Sequence, residues 1–205
     1  MKKILILDNY DSFTYNLVQY IEEITQHAVA VFRNDEITLD AVDDYDTIIL
    51  SPGPGLPSEA GIMPALIKRY APTKNIFGVC LGQQAIGEAF GGTLHNLADV
   101  YHGVATPILV KDTKEPIFKG LGKRFVAGRY HSWVVKQDGF PKVLKITAVD
   151  ENGQIMALRH RKYNVCGVQF HPESIMTLEG KRILENFLSP PQPSPKGREL
   201  RNKQN

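Results

Sequence analysis

Cys80 is the residue in this 205-residue sequence whose setting most resembles a reaction centre. It follows the apolar run Ile76 to Val79, precedes a helical pattern, and lies between Gly78 and Gly82 in Gly78-Val79-Cys80-Leu81-Gly82. A nucleophile at a sharp strand-to-helix turn needs small residues two positions to either side, because larger side chains would crowd the strained central residue. The same turn sets the thiol at a helix N-terminus, where free N–H groups and the positive end of the helix dipole favour the thiolate. Cys166, the other cysteine, sits in an apolar strand pattern without paired glycines and reads as a core residue.

A cysteine nucleophile requires a base. Of His27, His95, His102, His131, His160 and His171, the last has the most informative context. It follows the apolar run Val165 to Phe170 and precedes Pro172 and Glu173. Proline holds the residue before it extended, and extended residues two apart share a face, so Glu173 can orient the His171 imidazole. His27, His95 and His160 have polar or basic surroundings and read as ordinary histidines. His102 and His131 could line a pocket. A third segment, Ser51-Pro52-Gly53-Pro54-Gly55-Leu56-Pro57, is a stiff loop whose glycines allow close backbone approach to a ligand and whose N–H groups could face an oxyanion.

The elements around these residues alternate. Ile4 to Leu7 reads as a strand, followed by Phe13, Leu17, Tyr20, Ile21 and Ile24 at helical spacing behind a Ser12 cap. Ala28 to Phe32 continues the pattern. Thr47 to Leu50 then precedes a helix over Glu59 to Tyr70, and Ile76 to Val79 precedes a helix over Leu81 to Phe90. This predicts an α/β fold with a parallel sheet between helices, whose carboxyl edge carries both Cys80 and His171. Pro107 to Val110, Arg124 to Val126, Val143 to Val149, Ile155 to Arg159 and Val165 to Phe170 make the second half strand-rich and predict added antiparallel strands. A helix over Glu179 to Leu188 closes a single domain at 1–188. The proline-rich, polar segment 189–205 offers no apolar face and is expected to be disordered.

Composition excludes several classes. Hydrophobic residues at 42% and charged residues at 22% are ordinary globular usage. The net charge of +2 arises in the tail, where Lys196, Arg198, Arg201 and Lys203 face only Glu199, so the body is slightly acidic and gives no reason to expect nucleic-acid binding. The start, MKKILILD, is too short in apolar residues for a signal peptide, and no stretch approaches a membrane span, so a soluble, cytoplasmic protein is expected. Two cysteines cannot build a disulfide framework.

The motifs Gly78-Val79-Cys80-Leu81-Gly82-Gln83-Gln84, Tyr130-His131-Ser132-Trp133 and Gly167-Val168-Gln169-Phe170-His171-Pro172-Glu173-Ser174 together resemble the class I glutamine amidotransferases. Asp8-Asn9-Tyr10-Asp11-Ser12-Phe13-Thr14 and the loop Ser51 to Gly55 narrow the resemblance to the small subunits (component II) of anthranilate synthase and aminodeoxychorismate (para-aminobenzoate) synthase. It implies a flavodoxin-like three-layer sandwich, with Cys80 attacking the side-chain amide of L-glutamine, His171 as base and then acid, and Glu173 orienting His171. It further implies an oxyanion hole from the Gly53 and Leu81 N–H groups and glutamine held by Gly53, Pro54, Gly55, Leu81, Gln84, Ser132 and Trp133. Ammonia would pass to a chorismate-binding large synthase subunit. No cofactor or metal is implied in this chain, with Mg2+ expected on the partner. Gln83 stands where histidine or methionine is frequent, and Trp133 where leucine is frequent.

Overall fold

The apolar runs become strands buried on both faces, as central parallel strands must be. In β1 (Ile4–Asp8), Ile6 joins one hydrophobic cluster while Leu5 and Leu7 join another. The alternation repeats in β3 (Thr47–Leu50), where Ile49 opposes Ile48 and Leu50, and in β4 (Asn75–Val79), where Phe77 and Val79 oppose Ile76. Two clusters on opposite faces of one sheet define three layers. Each fully buried aliphatic side chain contributes about 1.5–3 kcal/mol to that arrangement.

The computed structural model describes residues 3–189. Its remaining strands are β2 (Ala30–Arg33), β5 (Leu94–Asn96), β6 (Val104–Val110), β7 (Arg124–Arg129), β8 (Trp133–Val135), β9 (Leu144–Val149), β10 (Ile155–His160) and β11 (Val165–Val168). Nine form one sheet in the order β2-β1-β3-β4-β11-β10-β9-β6-β7. The strands from β2 to β11 in that order run parallel, and β10, β9, β6 and β7 continue antiparallel. The sheet is thus the expected flavodoxin-like core with an antiparallel extension. Helices α1 (Thr14–Thr25) and α4 (Gly180–Leu188) cover one face through Leu17, Ile21, Ile183, Leu184 and Phe187. Helices α2 (Met63–Tyr70) and α3 (Leu81–Ala89) cover the other through Met63, Leu66, Ile67, Ala85 and Ile86.

Several local expectations change. Ser12 does not cap α1: the Asp11 carboxylate accepts from Phe13 N (2.8 Å), and Asp8 accepts from Asp11 N and the Thr14 hydroxyl (3.2 and 2.8 Å). These bonds shape the turn before α1, whose N-cap is Phe13 and carries no side-chain cap. The helix expected over Glu59 to Tyr70 is a 3-10 turn, Pro57–Glu59, followed by α2 from Met63, with Gly61 at φ 49° between them. β6 begins at Val104 rather than Pro107 and β7 extends to Arg129, because each supplies the other's hydrogen bonds. β5 and β8, not anticipated, pair as a small ribbon of their own. Among the described residues no helix is long and apolar enough to cross a membrane. The expectation for 189–205 falls, beyond Ser189, outside the described residues.

Candidate active site

Cys80 sits between β4 and α3 with φ 52° and ψ −102°, a conformation that non-glycine residues rarely adopt. The two flanking glycines have separate steric reasons. A methyl group on Gly78 would lie 2.4 Å from the carbonyl carbon of Gly82 and 2.6 Å from Gln83 N, and one on Gly82 would lie 2.6 Å from the Leu50 carbonyl oxygen. The first glycine lets α3 start directly against its own strand, and the second lets α3 lie on β3. Cys80 N donates to Val168 O (2.8 Å), which ties the elbow to the end of β11.

That bond explains how residues 80 and 171 meet. β11 lies beside β4 in parallel register, Val168 opposite Val79, so the chain leaving β11 passes the elbow. His171 N donates to Gly128 O (3.0 Å), and the Thr177 hydroxyl donates to His171 O (2.7 Å). The rings of Phe13 and Tyr130 stand edge-on to the imidazole, with centroids 5.9 and 4.7 Å away. His171 Nδ1 and Glu173 Oε1 are 2.7 Å apart, both residues only 2% exposed.

With Nδ1 taken by Glu173, the ring presents Nε2 to Cys80. Nε2 is buried and has no hydrogen-bond partner among the described residues. Cys80 stands outside hydrogen-bond geometry yet close enough to act on the imidazole. Burial works to lower the pKa of His171, but the hydrogen-bonding capacity and negative charge of Cys80 and Glu173 outweigh it and hold the value well above the ordinary imidazole range. The Asp11 carboxyl, pushed up by burial, lies within charge range of the same pair. Buried, unpaired polar atoms with perturbed proton affinity mark a site prepared for a reactant.

The loop after β3 meets the elbow from the other side. A methyl group on Gly53 would lie 2.4 Å from Asn9 O and 3.0 Å from a Leu81 methyl, so only glycine permits this approach. Asn9 anchors the loop, its side chain donating to Ser51 O and its N–H to the Ser51 hydroxyl, both at 2.8 Å. The N–H groups of Gly53 and Leu81 have no acceptor among the described residues, and Leu81 is the first residue of α3, where such groups are normally free. Gln84, one turn into α3, donates through Nε2 to Trp133 O (2.9 Å) and to Gln169 Oε1 (3.1 Å). Ser132 O accepts from Leu97 N (2.7 Å). Of the expected residues, Gly53 packs against Leu81 beside the elbow, and Gln84 bridges Trp133 O to Gln169, which reaches Cys80.

Sequence reasoning did not single out Gln169, whose Nε2 lies 3.4 Å from Cys80 Sγ, or Arg129. His131, left open, is 5% exposed and bonded to Arg129 and Trp133 O. His102 is exposed, whereas His160 is buried and accepts the Lys162 and Tyr163 N–H groups, a structural role. Burial pushes the Cys166 thiol up to about 12, in keeping with a core residue. Gln83 is fully buried with neither amide atom paired among the described residues. A cavity of about 930 Å³ is lined by Lys3, Glu23, His27, Tyr45 and Lys181 at the amino ends of the parallel strands, opposite the edge that carries Cys80. Among the described residues no group of three or more His, Cys, Asp or Glu side chains could hold a metal ion.

A strained cysteine at the carboxyl edge of a doubly covered sheet, with a carboxylate-oriented histidine and two free N–H groups beside it, has the geometry that a cysteine nucleophile of an α/β hydrolase requires. The family is narrower: residues 5–190 match the model of the glutamine amidotransferase class-I family, and the chain belongs to that family. It is 48% identical to the aminodeoxychorismate/anthranilate synthase component 2 of Bacillus subtilis, over 90% of this chain and 95% of that one. It is 45% identical to the bifunctional protein TrpGD of Thermotoga maritima, over 92% of this chain, but spans only 32% of that longer protein. Among solved structures, a candidate GMP synthase component from Thermoplasma acidophilum superposes with a TM-score of 0.80 at 26% identity, covering 91% of this chain and 92% of that one.

Proposed function

We propose that this chain is the glutaminase subunit of a chorismate-using synthase, hydrolysing L-glutamine at Cys80 and handing the ammonia to a large partner subunit. Cys80 Sγ attacks the side-chain amide carbon of glutamine. The oxyanion that forms is met by the N–H groups of Gly53 and Leu81, and His171 gives its proton to the departing ammonia. Glu173 holds the imidazolium through Nδ1. Water, deprotonated by His171, then attacks the glutamyl thioester, releasing glutamate and restoring the thiol. Gly53, Pro54, Gly55, Gln84, Ser132 and Trp133 hold the substrate. Every proton in this sequence moves between groups of this chain, the substrate and water, and Mg2+ belongs to the partner's chemistry.

The observation that carries the reading is the strained Cys80 beside a His171 whose Nδ1 is fixed by Glu173 at 2.7 Å and whose Nε2 is free. The partner is supported by the component and subunit names of the relatives, which include both anthranilate and aminodeoxychorismate synthases. Two nearly fully exposed apolar side chains, Ile175 and Leu178, follow Glu173 closely and suit a protein contact beside the site. We place the chain in the cytoplasm, where its two free thiols stay reduced.

The test is Cys80→Ser in complex with each candidate large subunit. Glutamine-dependent product should disappear while ammonium salts still support synthesis, and the aromatic product identifies the pathway. Glutamine hydrolysis that survives the substitution removes Cys80 from the mechanism.

A further inference from the structure

A nucleophile turned by backbone strain still needs its sulfur held at the attacking angle and its charge stabilised before substrate arrives. Among the described residues the one hydrogen bond to Cys80 Sγ comes from the Gln169 side-chain amide, Nε2 at 3.4 Å. Gln169 is fully buried just past β11, two residues before His171. A side-chain amide has a donor end and an acceptor end, and turned the other way it would aim a carbonyl oxygen at the sulfur and oppose the thiolate.

Its orientation is settled at the Trp133 carbonyl, which His131 and Arg129 help to hold. The Arg129 guanidinium has only donors, and its Nε lies 3.0 Å from His131 Nε2, so that ring nitrogen carries no proton. The His131 proton is then on Nδ1, which donates to Trp133 O at 3.0 Å. A carbonyl only accepts, so the Gln84 atom 2.9 Å from Trp133 O is its nitrogen. The second hydrogen on that nitrogen goes to the Gln169 atom 3.1 Å away, which is therefore Oε1. What remains to face Cys80 is Gln169 Nε2, the donor.

The far end of this relay is firmly anchored. Arg129 is 1% exposed, its Nη1 bonded to Asp150 at 2.8 Å and its Nη2 to Gln154 at 2.9 Å, with the Tyr101 ring 3.5 Å from the guanidinium carbon. Burial, and then the charge of Arg129, lower the pKa of His131 to about 3, so its Nε2 stays free to accept from Arg129.

We infer that Gln169 is a positioning residue for the glutaminase reaction: its buried amide, fixed donor-first by Gln84 on the Trp133 carbonyl, aims the Cys80 sulfur at the substrate and donates to it when it is ionised. The inference rests on the reading of Cys80 as nucleophile. A hydrogen bond given to an ionised sulfur stabilises that form over the thiol, so losing it raises the pH at which the sulfur becomes reactive.

The experiment follows iodoacetamide alkylation of Cys80 by mass spectrometry across pH, in the full-length chain and in Gln169→Met, which keeps length and removes the donor. The alkylation midpoint should rise by about one pH unit, roughly tenfold lower reactivity at a fixed pH below it. In the complex with a synthase subunit, kcat for glutamine should fall about tenfold or more, with KM changed by less than about threefold. A folded Gln169→Met protein with an unchanged midpoint overturns the inference, since a merely structural glutamine would alter stability and leave the midpoint in place. If that variant does not fold, the wild-type chain labelled with 15N-glutamine decides. The Gln169 side-chain amide signals, assigned through contacts to Cys80, should move with the cysteine titration, and signals that ignore it overturn the inference. Failure of the underlying reading looks different: alkylation of Cys80 would leave glutamine hydrolysis intact.

Discussion

Consider alanine at Gly78. Its methyl carbon would sit 2.4 Å from the Gly82 carbonyl carbon, 2.5 Å from that oxygen and 2.6 Å from Gln83 N, where ordinary contact begins at 3.4 Å. The first turn of α3 must therefore retreat by about 1 Å, and because every clashing atom is backbone, no rotamer change can absorb the overlap. Cys80 lies between the two glycines and moves with the turn, away from His171. Overpacking of this kind costs about 1–3 kcal/mol of stability, and a displacement near 1 Å at a reacting atom costs on the order of 100-fold in rate. Gly87 is the matched control on the same helix. A methyl group there meets Val135 side-chain carbons at 2.6 and 3.1 Å, so the overlap falls on a side chain and not on the backbone that carries Cys80. Gly87→Ala should lose at most a similar amount of stability, part of it returned by alanine's higher helix propensity of about 1 kcal/mol, and keep kcat within about threefold. Urea denaturation and glutamine turnover in the partner complex would be measured for both variants. If Gly78→Ala keeps wild-type kcat despite lower stability, the elbow does not set the nucleophile's position and the steric argument is wrong.

Two further outcomes concern buried polar groups. The folded-state pKa of His131, about 3, lies below the 6.5 of an ordinary histidine, so between those values the unfolded chain binds the extra proton. This contribution to stability is complete above about pH 6.5 and is lost as pH falls toward 3, at up to about 1.4 kcal/mol per unit. His131→Gln, which can accept from Arg129 and donate to Trp133 O without titrating, should flatten the dependence of the urea midpoint between about pH 4 and 6; an equal slope in both proteins would show that His131 does not govern it. At Gln83, an amide unpaired on both atoms among the described residues is a liability, and Gln83→Met should raise stability by about 1–3 kcal/mol, read as a higher thermal midpoint. A lower midpoint would mean that the amide is satisfied after all.

The parts of this molecule legible in sequence are those fixed by local physics. Ile4 to Leu7, Thr47 to Leu50 and Ile76 to Val79 read as strands because a strand covered on both faces is apolar throughout, and the elbow read as an elbow because its steric demands fall within five residues. The ribbon of Leu94–Asn96 and Trp133–Val135 did not: each strand has three residues, and only pairing with the other, 37 positions away by Asn96 and Trp133, makes either a strand. Arg129 shows the limit more sharply. An arginine at the end of a strand reads as solvent-facing, yet this one is 1% exposed because Asp150 and Gln154, in the turn joining β9 to β10, converge on it. Gln169 was within reach, since it precedes His171 by the same two residues by which Glu173 follows it. What the sequence lacked there was adjacency and not chemistry: once the Trp133 carbonyl, Gln84 and Gln169 are known to touch in that order, the donor and acceptor inventory alone fixes which end of Gln169 faces the sulfur. The same logic ranks the perturbations, because His131→Gln leaves the Trp133 carbonyl an acceptor and should leave the Cys80 alkylation midpoint nearly in place, whereas removal of the Gln169 donor should not.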